Sequence, residues 1–259
     1  MKHISEFHGK LQFLTTDIDD TLTLKGLLVP EAYSALWELQ KNGIQVIPIT
    51  GRPAGWCEMI ARQWPVAGVV GENGAFYFRY QAGKMHRVFA QSESERLSYK
   101  QKLKNIESQI LTQIKGSALA SDQFCRLFDL AIDFCEDVPK LPDPEIQKIV
   151  KIFETNGAQA KISSIHVNGW FGSFNKLTQT LNFLKNEFNL TPDQCKKTVG
   201  FAGDSPNDEP MFDFFEHSFG VANIKEFLNI LKSKPTYVAD YEGGLGFAQI
   251  ADRVIKARQ

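Results

Sequence analysis

The chain has 259 residues, 43% hydrophobic and 23% charged, the balance of an ordinary globular protein of one large or two modest domains. A formal net charge of −1 leaves no basic footprint for nucleic acid, and no apolar run approaches the roughly 18–20 residues that cross a bilayer. Met1–Lys10 lacks the apolar stretch of a signal peptide, and Cys57, Cys125, Cys135 and Cys195 form no CxxC pair, so a reduced cytoplasmic protein is expected, with neither nucleic acid nor membrane as partner.

In chain order, the apolar run Leu11–Leu14 reads as a buried strand that Thr15 and Thr16 carry into Asp17-Ile18-Asp19-Asp20-Thr21. Three carboxylates in four residues at a strand end repel one another unless a cation sits among them. On extended backbone Asp17 and Asp19 point the same way, which suits a hard cation with oxygen ligands, most naturally Mg2+. They also offer two carboxylates for separate work, one as nucleophile and one as acid/base. A helix is expected from Pro30, with Leu36 and Leu39 inward and Gly43 just past its end. Ile44–Ile49 reads as a strand, with Pro48 tolerable near its end, and Val66–Val70 as another. Thr50-Gly51-Arg52-Pro53 follows the first of these, where a hydroxyl and backbone N–H groups can hold an anion. Ala75–Tyr80 and Lys84–Phe89 form a hairpin about Gln81-Ala82-Gly83.

The middle of the chain changes character. Ser92–Ile114 is an exposed amphipathic helix, Phe124–Phe134 is strand-like, Glu145–Thr155 is helical after the break at Leu141-Pro142-Asp143-Pro144, and Ala158–Val167 returns as a strand. This reads as a small α+β unit inserted at 84–170 into an α/β domain formed by 1–83 and 171–259. Beyond it, Leu177, Leu181, Leu184 and Phe188 mark a helix that starts near Lys176. A cation at a helix N-terminus is unfavourable unless something anionic lies close. Thr198–Ala202 is a short buried strand leading into Gly203-Asp204-Ser205-Pro206-Asn207-Asp208, a second acidic cluster at a strand end. The two clusters can supply the carboxylates of one metal site. Gly243-Gly244-Leu245-Gly246 reads as a turn before the last helix.

The Asp17–Thr21 motif, Thr50 after a strand, Lys176 and the Gly203–Asp208 motif resemble, in order and spacing, the four motifs of the haloacid dehalogenase (HAD) superfamily of phosphohydrolases. The insertion resembles the C2-type cap of subfamily IIB, which includes Cof-type and sucrose-phosphate phosphatases. The resemblance spans the chain and implies a doubly wound, Rossmann-like parallel sheet with an inserted cap. It implies Asp17 as nucleophile forming an aspartyl-phosphate, Asp19 as acid/base, and Thr50 and Lys176 on the phosphoryl oxygens. Mg2+ is then bound by Asp17, Asp204 and the backbone carbonyl of Asp19, with Asp208 orienting Lys176 or a metal-bound water. Gly51, Arg52, Glu72, Asn73 and Asn207 complete the substrate-binding candidates. Asp20 stands where many relatives carry Gly. The expected activity is hydrolysis of a small phosphorylated metabolite, a sugar phosphate foremost. Phosphomannomutase-like transfer and a silent, ligand-binding scaffold are the alternatives. A receiver domain is disfavoured, because its phosphoacceptor Asp follows the acidic pair on a later strand. His166 and Asn168 are weighed as further contacts, His166 as a half-exposed strand residue, and Trp170, Phe171 and Phe174 as hinge packing.

Overall fold

The computed structural model describes residues 1–163 and 165–258. Its centre is a six-stranded, all-parallel sheet in the order Lys2–His3, Tyr237–Val238, His217–Gly220, Val199–Gly203, Phe13–Thr16, Gln45–Pro48. Successive residues of a strand point to opposite faces, and the sequence uses both. Leu14 and Val46 pack with Leu36, Leu39, Phe247 and Ile250 on one side, while Phe13 and Ile47 pack with Phe183, Leu184 and Phe201 on the other. The result is the Rossmann-like, doubly wound α/β class. From Phe13–Thr16 the chain winds outward one way through Gln45–Pro48 and later the other way through Val199–Gly203. The crevice where winding reverses therefore lies between these two neighbouring strands, at their carboxyl ends.

Several local expectations hold for the expected reasons. Pro30 opens the helix Pro30–Lys41, and Gly43 follows it at φ 71°. Pro48 ends its strand: Gln45 and Ile49 donate to Gln12 and Thr16, so the alternation turns the Pro48 nitrogen away from that neighbour. Phe76–Gln81 and Lys84–Phe89 pair antiparallel around Ala82 and Gly83, both at positive φ, and join Val69–Gly71 in a three-stranded sheet. Ser92 and Glu95 form a capping box at the start of Glu93–Gln113.

The inserted segment carries an antiparallel sheet in the order Gln159–Ile162, His166–Trp170, Leu130–Asp133, Ala118–Leu119. Glu93–Gln113 and Asp143–Thr155 cover it through Ile106, Ile110, Ile149 and Phe153. Three expectations need correction. Ala158–Val167 is not one strand but parts of two that pair across a turn; Ser164 lies outside the described residues. Of Phe124–Phe134 only Leu130–Asp133 is a strand, because Gln123–Cys125 forms a 3-10 turn and Arg126 after it turns inward to bind Asp122 and Asp129. Gly243-Gly244-Leu245-Gly246 is the first turn of the helix Gly243–Lys256, and any Cβ at Gly244 would press on the Leu22 carbonyl. Among the described residues no helix is long and apolar enough to cross a membrane.

Candidate active site

Asp17 and Asp204 each stand one residue beyond their strand, and the Asp17 N–H donates to the Ala202 carbonyl at 2.9 Å. Parallel pairing thus places two carboxylates side by side at the crevice. Asp208 joins them from a one-turn helix, so that Asp17, Asp204 and Asp208 offer oxygens within 4.8 Å of one another, all buried. Gly203 makes room for this: a Cβ there would run into the Asp208 carboxylate. The Asp204 N–H donates to Asp208 Oδ2 at 3.2 Å. Thr21 Oγ1 and Asn223 Nδ2 each donate to Asp204 at 3.2 Å, fixing its orientation.

Lys176 is the first residue of the helix Lys176–Phe188, and its side chain runs into the cluster. Nζ donates to Asp17 Oδ1 at 2.7 Å and Asp208 Oδ1 at 3.0 Å, with Asn207 Oδ1 at 3.5 Å. This answers the odd placement of a cation at a helix start. Burial alone would lower the Lys176 ammonium, but Asp17 and Asp208 outweigh it and hold it above the usual lysine range. Burial, with Asp208 and Asp19, pushes Asp17 up to about 7 against the pull of Lys176. Burial and then Asp208 and Asp17 hold Asp204 well above the usual carboxylate range. One ammonium thus faces three buried carboxylates, and the excess negative charge fits a hard divalent cation with oxygen ligands.

The other candidates divide. Asp19 turns away from the carboxylate cluster: Arg52 Nε and Nη2 grip it at 2.9–3.2 Å. Arg52 also reaches Glu136 of the inserted segment at 3.2 Å and stacks on Trp56. Gly51, Arg52, Asn73, Lys176 and Asn207 line a cavity of about 40 Å3 together with Asp17, Asp19 and Asp204. Thr50 is fully buried just behind it, its Oγ1 accepting from the Arg52 N–H at 2.9 Å. Glu72 is also fully buried, and its carboxylate accepts from the N–H groups of Ala54, Leu127, Phe128 and Asp129 at 2.6–3.3 Å. The structure brings Glu72 to the inserted segment rather than to the cavity wall.

His166 is buried, not half-exposed, because its strand lies inside the antiparallel sheet with this face toward the cavity. Its Nε2 stands 2.9 Å from Glu136 Oε2, off hydrogen-bonding geometry. Asn168, two residues on, also lines the cavity and donates to Asp129 at 2.9 Å. Trp170 stacks on Phe174, and Phe171 on Tyr99, as packing. Sequence reading missed Arg126, which reaches the Gly51 carbonyl at 3.0 Å across the two parts of the fold, and no spacing signals it. Asn223 was missed too, although it follows the parallel strand His217–Gly220 at the same sheet edge as the acidic clusters.

The model of the haloacid dehalogenase-like hydrolase family matches residues 14–201. The chain belongs to that family and is an enzyme, a hydrolase. No curated protein sequence matches it. A solved structure from Thermoplasma acidophilum is similar at TM-score 0.74 and 18% identity, covering 96% of this chain and 99% of the other. One from Streptococcus mutans gives 0.69 at 16% identity, with 95% and 100% covered. The sucrose-phosphatase of Synechocystis, solved with sucrose and phosphate, gives 0.64 at 16% identity, with 94% and 98% covered.

Proposed function

We propose that this hydrolase is a Mg2+-dependent phosphatase acting on a phosphate monoester of a small metabolite through an aspartyl-phosphate on Asp17. One observation carries the reading: Asp17, Asp204 and Asp208 converge in a buried pocket with Lys176 bonded to Asp17 and Asp208. Asp17 and Asp204, with the backbone carbonyl of Asp19, are the groups to hold the ion, and Asp208 positions Lys176. The ion supplies neutralisation of the carboxylates and of the phosphoryl charge when bound.

The chain's own residues do the rest. Asp17 attacks phosphorus, and Lys176 balances charge on the phosphoryl oxygens as the bond to the leaving oxygen breaks. The backbone at Gly51 faces those oxygens, and Thr50 behind it accepts from the Arg52 N–H and so shapes the turn, with its own hydroxyl proton left to donate toward the phosphoryl group. Asp19, aimed by Arg52, protonates the leaving alcohol and later takes a proton from the water that cleaves the acyl phosphate. The unit expected over 84–170 serves as the cap, with Asn168 and His166 closing the cavity from that side and excluding water.

Phosphate release from a panel of sugar phosphates and p-nitrophenyl phosphate, with Mg2+ and with EDTA, tests this. Sugar phosphates head the panel because the sucrose-phosphatase of Synechocystis shares the fold. Mg2+-dependent release is expected, and its absence from every ester with a folded protein overturns the reading.

A further inference from the structure

The cavity at the carboxylates is too small for a whole substrate. At about 40 Å3 it holds a phosphoryl group and little else. Beside it lies a second cavity of about 490 Å3, within the usual range for a bound small molecule. The two share Ser163, Asp204, Ser205 and Asn207, so anything attached to a phosphoryl group at Asp17 has adjoining room there.

The walls of the larger cavity say what that room suits. Leu24, Ile162, Phe227 and Ile230 give it a predominantly apolar surface. Ile230 is 67% exposed and Ile162 38%, so these carbons face open space rather than core. Several polar groups at the junction already have partners, while the charged Lys25, Glu226 and Glu242 stand at the exposed margin of the cavity. Asn223 donates to the Asp20 carbonyl and to Asp204 and accepts from the Gly243 N–H. Ser205 Oγ is bonded to Asn207, and Ser163 Oγ to the His166 carbonyl. A hydroxyl-rich leaving group laid on this wall loses water and gains few hydrogen bonds, which is costly. An apolar one gains by leaving water.

Resting on the phosphatase reading above, we infer that the leaving group lies in this second cavity and is an alkyl or aryl group rather than a polyhydroxylated sugar. The substrate class is then a phosphate monoester of an apolar alcohol or phenol, with Lys25 and Glu226 at the rim available to a polar tail.

A ladder of ethyl, butyl and hexyl phosphates, run with Mg2+ beside hexose 6-phosphates and p-nitrophenyl phosphate, tests it. kcat/KM should rise about fourfold per added methylene, the factor expected from burying a CH2, and hexyl phosphate should exceed the sugars. Ile230→Asp, on that apolar wall, should flatten the ladder through KM, with the gain from ethyl to hexyl phosphate falling toward one and circular dichroism unchanged. A flat ladder, a preference for the sugars, or an unchanged slope in Ile230→Asp overturns the inference and leaves the phosphatase reading standing. No Mg2+-dependent release from any ester overturns both.

Discussion

Single residues carry the chemistry, and the clearest case is the pair Asp17 and Lys176. Replacing Asp17 with Asn keeps size and shape but removes the nucleophile, so Mg2+-dependent phosphate release should fall at least about a thousandfold, with circular dichroism unchanged. Near-normal turnover by a folded mutant would refute the role. Lys176→Ala leaves Asp17 and Asp208 without their cation in a buried place. Turnover should collapse, and chemical denaturation should show a loss of about 3–5 kcal/mol, partly restored by Mg2+. Equal stability and rate would show that Lys176 is a bystander. Asp20 is a different case. Its φ of 56° is left-handed, a region that Gly adopts freely and Asp tolerates better than most residues. Asp20→Gly should therefore keep activity and change the unfolding free energy by no more than about 1 kcal/mol. A large loss of stability would show that the Asp20 side chain itself holds the loop.

At the scale of elements, Glu72 sets how the inserted segment meets the sheet. Glu72, Asn73 and Gly74 all have positive φ, and this strained turn persists because N–H groups from two parts of the chain converge on one carboxylate. In Glu72→Gln one oxygen becomes an NH2 facing N–H donors, so the midpoint of urea denaturation should drop by the equivalent of about 2–3 kcal/mol. An unchanged midpoint would mean the turn stands without the carboxylate. The role of Glu72 also marks where sequence stops being legible. Asp17, Lys176 and Asp204 announce themselves, since each is a charged group where a strand ends or a helix begins. Glu72 sits in an equally suggestive loop, but its partners are backbone groups 55–57 residues away, and nothing in composition reports such a contact. The same holds for Arg126, which looks like one polar residue inside a strand-like run until Asp122, Asp129 and the Gly51 carbonyl come together around it. The Ala158–Val167 misreading has another cause: hairpin arms share one alternating pattern, and only the pairing shows where the direction reverses. The central strands Phe13–Thr16 and Val199–Gly203 were readable because they are buried throughout and follow or form apolar runs, whereas the short outer strand Lys2–His3 is exposed and polar and gave no such signal.

For the whole molecule, the carboxylate cluster ties stability to pH and to cations. Asp17 gives up its proton near 3.8 in the unfolded chain and near 7 in the folded one without metal. A carboxylate raised in this way stabilises the fold only where it stays protonated. In EDTA, its contribution should therefore be present below 3.8 and decline as pH rises toward about 7. Mg2+ favours the ionised form and the native state, so the gap in Tm between Mg2+ and EDTA should widen over that interval and then level off. A gap independent of pH would contradict the shared site.

Gln91 Nε2 donates to the Phe171 carbonyl at 2.6 Å, tying the chain just before the helix Glu93–Gln113 to the residue that follows the strand His166–Trp170. That makes one side of the segment a hinge. The bonds from residues 127–129 to Glu72 make another side a latch. A panel with both stays shut until the latch lets go. If the proposed cap opens on that side to admit substrate, the bonds to Glu72 break once per turnover, and their strength then sets a mechanical ceiling beside the chemical one.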